Sequence, residues 1–146
     1  MTKLGSKRNG TGGAVLRQMV VVSRARDGLR PSDTSDIIGM SRANNARSGL
    51  TGVLLYSGET FLQFVEGSDA ALSTLWRELL VDDRHRQLVS LHDGQVHARW
   101  FEDWRAGYVP ETLLAPVILR WRAVSAPLRE ADLLELRSFL RDAQTF

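Results

Sequence analysis

A glutamine in an otherwise apolar segment is the first residue of this sequence whose type and position could do chemistry. In a strand running from Phe61 to Val65, alternate side chains leave opposite faces, so Phe61, Gln63 and Val65 share one apolar face. A buried amide without a hydrogen-bond partner costs about 1–3 kcal/mol, so Gln63 must meet the backbone, a trapped water or a ligand. A locally satisfied core glutamine and a ligand-binding amide are both open interpretations.

A second group of polar side chains lies on a helix predicted from Ser32 to about Arg47. Residues at spacings of three and four place one face of that helix against the sheet: Ile37, Ile38, Ser41, Asn44, Asn45 and Ser48. Asn44 and Asn45 would then converge with Gln63 on an apolar cleft. Such a cleft suits a flat heteroaromatic ring, with isoleucines against the ring and amides along one edge. The two asparagines could equally cap the helix before Gly49.

A cationic pair, Arg84 and His85, follows the second predicted helix, which runs from Asp69 to about Asp82. The pair could complete the ligand edge, or it could compensate the negative end of the helix dipole. The three histidines have no spacing typical of a zinc site. The sequence also has no Gly-rich phosphate loop, nucleophile elbow or convincing carboxylate pair, so it does not indicate an enzyme.

The elements that must position these residues follow from hydrophobic periodicity and turn residues. We predict strands over Leu16 to Ser23, Leu50 to Ser57, Glu59 to Glu66, Gln87 to Val96 and Arg105 to Val109, and a last helix from about Pro127 to Arg141. With the two helices above, this order predicts an α+β, ferredoxin-like βαββαβ mixed sheet with both helices on one face and the first helix against the central strands. A C-terminal helical extension follows, whose apolar stripe could pack on its own sheet or on another copy: Leu133, Leu134, Leu136, Phe139 and Leu140.

Composition limits the class of protein. The chain has 146 residues, 43% of them hydrophobic, a formal net charge of +2 and no cysteine, which is typical of one cytoplasmic domain without disulfides. No apolar run approaches the roughly 20 residues of a membrane span. The basic stretch from Lys3 to Arg8 is interpreted as a solvated tail, because no recognition helix or aromatic platform accompanies it. We therefore expect neither nucleic acid nor membrane as a partner.

In combination, these motifs resemble those of the BLUF domains, a family that senses blue light with flavin adenine dinucleotide (FAD). The resemblance spans roughly Val20 to Tyr108 and rests on Asp36-Ile37-Ile38, the run from Ser41 to Gly58, Phe61-Leu62-Gln63 with Glu66-Gly67, Asp82 to His85, Arg99, Phe101, Trp104 and Gly107-Tyr108. It implies a flavin-binding domain over 14–110. The glycine-rich, polar composition of residues 1–13 predicts a flexible tail before it, and the apolar stripe of the last helix predicts a helical extension over 111–146.

The resemblance also implies roles for single residues. Asn45 would bind one carbonyl and the N3 region of the flavin, Arg84 would approach the second carbonyl, and Gln63 would sit beside N5. Ile37 and Ile38 would flank the ring, and Asn44 and His85 would be near neighbours of it. Trp104 corresponds to a tryptophan whose movement is proposed to accompany signalling in the family.

One departure from the family concerns the light switch itself. In the family, light drives an electron and a proton from a tyrosine to the flavin, after which the glutamine rearranges its hydrogen bonds. That tyrosine falls two residues before the serine of the first strand, and here Val21 occupies the position. A valine can neither donate a hydrogen bond to Gln63 nor supply an electron and a proton.

These observations predict an FAD-binding blue-light sensor domain that signals to a downstream protein partner, with an impaired or altered photocycle. The alternative is a light-independent interaction module of the same fold without bound flavin. An enzyme such as a flavin reductase is disfavoured, because no nicotinamide-binding pattern is present. Self-association is a further expectation, since homo-oligomers are common.

Overall fold

The computed structural model describes residues 15–123 and 128–143, except the side chains of residues 31 and 34. The segment 1–13, which we expected to be a flexible tail, lies outside the described residues. The elements in chain order are β1 Leu16–Ala25, α1 Pro31–Ser48, β2 Thr51–Tyr56, β3 Thr60–Ser68, α2 Asp69–Val81, β4 His85–Val96, β5 Trp104–Tyr108, α3 Glu111–Arg122 and α4 Glu130–Asp142. The predicted strands and helices are each present, with ends shifted by up to three residues.

The five strands form one mixed sheet in the order β4-β1-β3-β2-β5. Strand β1 is antiparallel to both β4 and β3, β3 is antiparallel to β2, and β2 is parallel to β5. The first four strands have the order of a ferredoxin-like βαββαβ unit, and β5 extends the sheet beyond β2. The predicted α+β fold is therefore confirmed.

Helices α1 and α2 cover one face of this sheet, as predicted. Leu72 of α2 and Ile37 of α1 pack with Met19, Val21 and Val65 of the sheet. The prediction that α1 lies against the central strands is wrong, because α1 lies over β2 and β5 while α2 lies over β3 and β1. The fifth strand accounts for the difference, since it widens the sheet on the side where α1 lies.

Helices α3 and α4 cover the opposite face. Their buried side chains, which pack on Val20, Val22 and the apolar residues of β2 and β3, are Leu114, Ile118, Trp121, Leu136 and Leu140. The apolar stripe of α4 thus packs on the sheet of its own chain, although Leu134 is turned outward and 48% exposed. This second layer explains why Val20, Val21 and Val22 are all buried although adjacent strand residues point in opposite directions.

Helix α3 was not recognised as a separate element. Pro116 lies inside it, and a proline removes one backbone hydrogen bond and normally ends a helix. Burial of Leu114, Ile118 and Trp121 against the sheet offsets that loss. Within the described residues, no helix is both long and apolar enough to cross a membrane.

Two glycines fix the passage from α1 into β2. Gly49 ends α1 in the left-handed conformation (φ 72°), and its N–H donates to the carbonyls of Ala46 and Asn45. Gly52 has φ 144°, and a Cβ atom at this position would lie 1.9 Å from the carbonyl oxygen of Phe64 on β3. Only glycine therefore allows β2 and β3 to pair in the observed register.

Candidate functional site

The hairpin of β2 and β3 places Gln63 in the middle of the sheet, on the face that α1 and α2 cover. Gln63 is the Cα partner of Val21 on β1 and of Leu54 on β2. All three side chains are buried, with 7%, 2% and 1% exposure respectively. The amide of Gln63 is thus flanked by apolar side chains on both neighbouring strands, as the alternation in the sequence indicated.

The end of α2 brings a cation to the same region. Arg84 donates from Nε to Asp82 Oδ1 over 2.9 Å and from Nη2 to Asp82 Oδ2 over 2.7 Å. This paired geometry holds the pKa of Asp82 below its usual range and raises the pKa of Arg84. The guanidinium is therefore oriented by a carboxylate that stays ionised at neutral pH.

His85 follows directly and begins β4. Its ring nitrogens are buried and have no hydrogen-bond partner among the described residues. Burial lowers its pKa, and the nearby Asp82 offsets part of that effect. A neutral imidazole has one donor and one acceptor, so the ring can pair with a further polar group at this site.

A small cavity of about 30 Å³ lies where these elements meet. Four of the seven residues expected to bind a cofactor line it: Ile37, Gln63, Arg84 and His85. Ser23, Ser41, Leu79 and Asp82 line it as well, although the sequence did not single them out as binding residues. The signal for Ser41 was present, since it lies on the same helical face as Ile37 and Asn45.

The other three expected binding residues do not line the cavity. Ile38 is half-buried and packs against the apolar residues beneath α1. Asn44 accepts a hydrogen bond at Oδ1 from Nη2 of Arg47, so part of its amide is used within the helix. Asn45 is 3% exposed, one helical turn beyond Ser41, and its backbone carbonyl accepts from the N–H of Leu50 over 2.8 Å. The backbone of Asn45 therefore takes part in the cap, while its side chain remains buried in the sheet-facing layer.

The polar atoms of the site fit a ligand with donors and acceptors along an edge. The side chains of Gln63 and Asn45 are buried, with 7% and 3% exposure, and each amide offers two donors and an acceptor. Both nitrogens of His85 are buried without a hydrogen-bond partner within the described residues. Buried polar groups are nearly always paired in folded proteins, so this set has the chemistry that an isoalloxazine edge would satisfy.

Trp104 and Val21, the other two residues expected at the switch, lie in the same apolar layer as Ile37 and Phe61. Trp104 is 7% exposed, and its indole N–H is buried without a partner among the described residues. Neither residue lines the cavity. Trp104 pairs with Gly52 across β5 and β2, which places it beside α1 rather than against Gln63.

Comparisons with known proteins identify the family of the chain. The family model described as BLUF, sensors of blue-light using FAD, matches residues 16–107. A photoactivated adenylate cyclase subunit beta from Euglena longa is 29% identical over 112 residues, which is 76% of this chain and 13% of that protein. The blue light- and temperature-regulated antirepressor BluF from Escherichia coli (strain K12) is 28% identical over 60% of this chain and 22% of its own length.

A solved structure extends the similarity to the fold. The dark state of BlrB, a BLUF protein, is 31% identical with a TM-score of 0.68, covering 86% of this chain and 94% of that one. The chain spans only a small part of the two curated relatives, so the similarity concerns their BLUF regions. The family match covers more than half of the chain, from β1 to β5, and includes every element around the cavity. The chain therefore belongs to the BLUF family of flavin-based blue-light sensors.

Proposed function

We propose that this chain binds FAD between α1, α2 and the sheet, and that its light response is impaired or altered because Val21 stands opposite Gln63. Convergence of Gln63, Arg84 and His85 on one cavity is the observation that supports binding at this place. The register that makes Val21 the Cα partner of Gln63 supports the altered response.

Each residue at this site would bind a different part of the flavin. Arg84, oriented by Asp82, would meet a carbonyl of the ring, and Asn45 would meet the N3 edge. Ile37 and Ile38 would cover the ring face, and His85 and Gln63 would pair with the remaining polar atoms. The flavin, when bound, supplies the absorption of blue light. Val21 contributes only apolar surface, so Gln63 would lack the phenol that starts its rearrangement in the family.

Binding of the ring would need a wider opening between α1, α2 and the sheet. The cavity of about 30 Å³ is far smaller than the roughly 300–1,000 Å³ of ligand pockets. Helix α1 contributes buried Ile37 and half-buried Ile38 to the apolar layer, whereas α2 contributes Leu72 together with four partly buried residues, Ala71, Leu75, Trp76 and Leu79. We therefore expect α1 to shift outward more readily than α2.

The output would pass to a separate effector protein, and the chain itself would carry no catalytic activity. BLUF domains are sensor modules, and the names of the relatives join them to a cyclase or to an antirepressor function. The same chemistry of light detection is thus found with different outputs. We propose that this effector is a cytoplasmic protein that binds the sheet or the helices that cover it.

The visible spectrum of the purified protein, in the dark and after blue light, tests this proposal. We expect flavin bands without a reversible red shift, and FAD as the molecule released by denaturation. Release of FMN would contradict the choice of FAD, and a reversible red shift would contradict the impaired switch. A colourless protein that stays colourless after incubation with FAD would favour the light-independent interaction module instead.

A further inference from the structure

A second cavity lies on the opposite face of the sheet, where the start of α4 crosses the ends of β1 and β4. Its volume is about 450 Å³, within the range of small-molecule sites. The apolar wall consists of Val96, Trp100, Leu133 and Leu134. This cavity shares no lining residue with the candidate flavin site, and its role does not depend on whether flavin binds.

His92 supplies the polar anchor of this cavity. Its side chain is 7% exposed, and its Nδ1 accepts a hydrogen bond from the backbone N–H of Leu128 over 3.1 Å. An imidazole that accepts at Nδ1 while neutral carries its proton on Nε2. Burial lowers the pKa of His92, which favours this neutral form. The Nε2 proton is therefore held at the cavity wall, where it can be donated to a ligand.

Gly94 leaves the space that this donor needs. A Cβ atom at Gly94 would lie 3.2 Å from Nε2 of His92. Both residues line the cavity, and their backbones belong to the same edge strand, β4. Any larger residue at this position would press on the nitrogen and obstruct its approach to a ligand.

The charges around the cavity select the kind of ligand. Glu130 stands in its lining, and no lysine or arginine is among the lining residues. The guanidinium of Arg137 lies 5.1 Å from the centroid of the Trp100 ring but does not line the cavity, so an anion inside it would meet Glu130 without a cation in the lining. A neutral carbonyl can accept from Nε2, and an attached N–H can donate to a carboxylate.

We propose that this cavity binds a small neutral amide or lactam with a flat apolar body, whose carbonyl accepts a hydrogen bond from Nε2 of His92. The apolar body would lie among Val96, Leu133 and Trp100. Nδ1 of the same ring accepts a hydrogen bond from Leu128, just before α4. The His92 side chain would therefore contact both the ligand and the segment that leads into α4.

Matched probes test the proposal on the full chain as purified, kept in the dark. Benzamide, benzoate and benzylamine have the same ring but differ in carbonyl and charge. Each is titrated while the backbone amide signals of residues 92–98 and the indole signal of Trp100 are followed by NMR. A ligand of this size is expected to bind with a Kd of about 1 mM. Benzamide should shift these signals saturably, and benzoate, whose charge Glu130 opposes, should bind at least about fivefold more weakly. Benzylamine lacks the carbonyl that would accept from Nε2 but can be attracted to Glu130, so benzylamine binding as tight as that of benzamide would overturn the proposal.

Gly94→Ala is the blocking variant, because it obstructs Nε2 while His92 keeps its hydrogen bond to Leu128. It should weaken benzamide binding by about fivefold or more. Gly39→Ala is the matched control, since a Cβ atom at Gly39 meets nothing within 4 Å. Equal binding of all three probes, tighter binding of benzoate, or unchanged binding by Gly94→Ala would each overturn the proposal. The absence of a saturable shift in the unmodified chain would also overturn it. The same spectra show whether each variant is folded.

Discussion

Val21 and Gln63 face each other as Cα partners on β1 and β3, and both side chains belong to the sheet face under α1 and α2. Directly opposed side chains of an antiparallel pair have Cβ atoms about 4.5–5.5 Å apart. A side chain at position 21 is therefore a direct neighbour of the Gln63 amide. The isopropyl side chain of Val21 cannot hydrogen-bond to the Gln63 amide. A neighbouring side chain that could orient this amide is therefore missing.

Replacing Val21 by tyrosine is expected to restore a light response. The added phenol would extend across the face of Gln63 and supply a donor that valine lacks. We expect Val21→Tyr to show a reversible red shift of the flavin band after blue light. Difference absorption spectra before and after illumination, followed through dark recovery, measure this directly.

Val21→Phe is the matched control for that experiment, because it adds the same ring without the hydroxyl. Both variants enlarge a residue that is 2% exposed, at a cost of about 1–3 kcal/mol from overpacking. A red shift in Val21→Phe would show that volume rather than the hydroxyl restores the response. A fully folded, flavin-loaded Val21→Tyr without any shift would contradict the assignment of position 21.

Removing the guanidinium of Arg84 is expected to weaken flavin binding. A hydrogen bond from a charged group contributes about 1.5–3 kcal/mol, so Arg84→Ala should raise the Kd for FAD by roughly 10- to 100-fold. Fluorescence quenching of FAD during titration with apoprotein measures this change. Arg77→Ala is the control, because Arg77 is exposed on α2 and, among the described residues, its side chain bonds to Thr74 on the same helix. Equal affinities of the two variants would exclude Arg84 from the binding site.

The sequence predicted the local positions of Gln63 and Arg84 better than it predicted the arrangement of the elements around them. Alternation along β3 identified Gln63 as a polar residue on a buried face, and local order placed Arg84 beside Asp82. The register between β1 and β3, which makes Val21 the neighbour of Gln63, depends on pairing of distant segments and did not follow from periodicity. The position of α1 could not be inferred either, because its sheet-facing side is polar and contributes little apolar burial.

Helices α3 and α4, on the other face of the sheet, include features that the sequence patterns could not predict. Pro116 argues against a helix locally, yet tertiary burial of Leu114 and Ile118 stabilises α3. The cavity beside α4 is formed by β1, β4 and α4 together, so no single segment indicates it. His92 showed no recognisable spacing to another ligand, and its role depends on Leu128, which lies 36 positions later.

Acid is expected to destabilise the protein through His92. Burial lowers its pKa in the folded state below the value of about 6.5 for an exposed histidine. The unfolded chain then binds more protons as the pH falls, so the contribution to stability is present above about pH 6.5 and is lost below it. Each additional proton bound on unfolding lowers the free energy of unfolding by up to about 1.4 kcal/mol per pH unit.

Urea unfolding at about pH 7.5 and about pH 5.5 measures this loss. His92→Gln removes the titrating group but keeps an acceptor for the N–H of Leu128, so its stability should fall less steeply with acid. The pKa of His85 is also lowered by burial, so part of the pH dependence should remain. His97→Gln, at an exposed position, is the control for the change from histidine to glutamine. If His92→Gln retains the full pH dependence, the acid sensitivity does not arise at His92.

Glu66 is expected to hold the connection between β4 and β5 on the sheet. This fully buried residue on β3 accepts from the backbone N–H groups of Trp100 and Phe101 over 2.6 and 2.7 Å. Trp100 in turn stacks on Phe64 at 5.4 Å between ring centroids, and the guanidinium of Arg137 on α4 lies 5.1 Å from its ring. One carboxylate thus fixes a segment that contacts both the sheet and the last helix.

Glu66→Ala leaves both N–H groups without their acceptor, so the free energy of unfolding should fall by about 3 kcal/mol or more. Hydrogen exchange of the Trp100 and Phe101 amides should accelerate more than that of the amides in β3, because the loss is local to the connection. Glu78→Ala on the exposed face of α2 should change stability by no more than about 0.5 kcal/mol. Uniform acceleration across all amides would mean that Glu66 supports the whole domain rather than this connection.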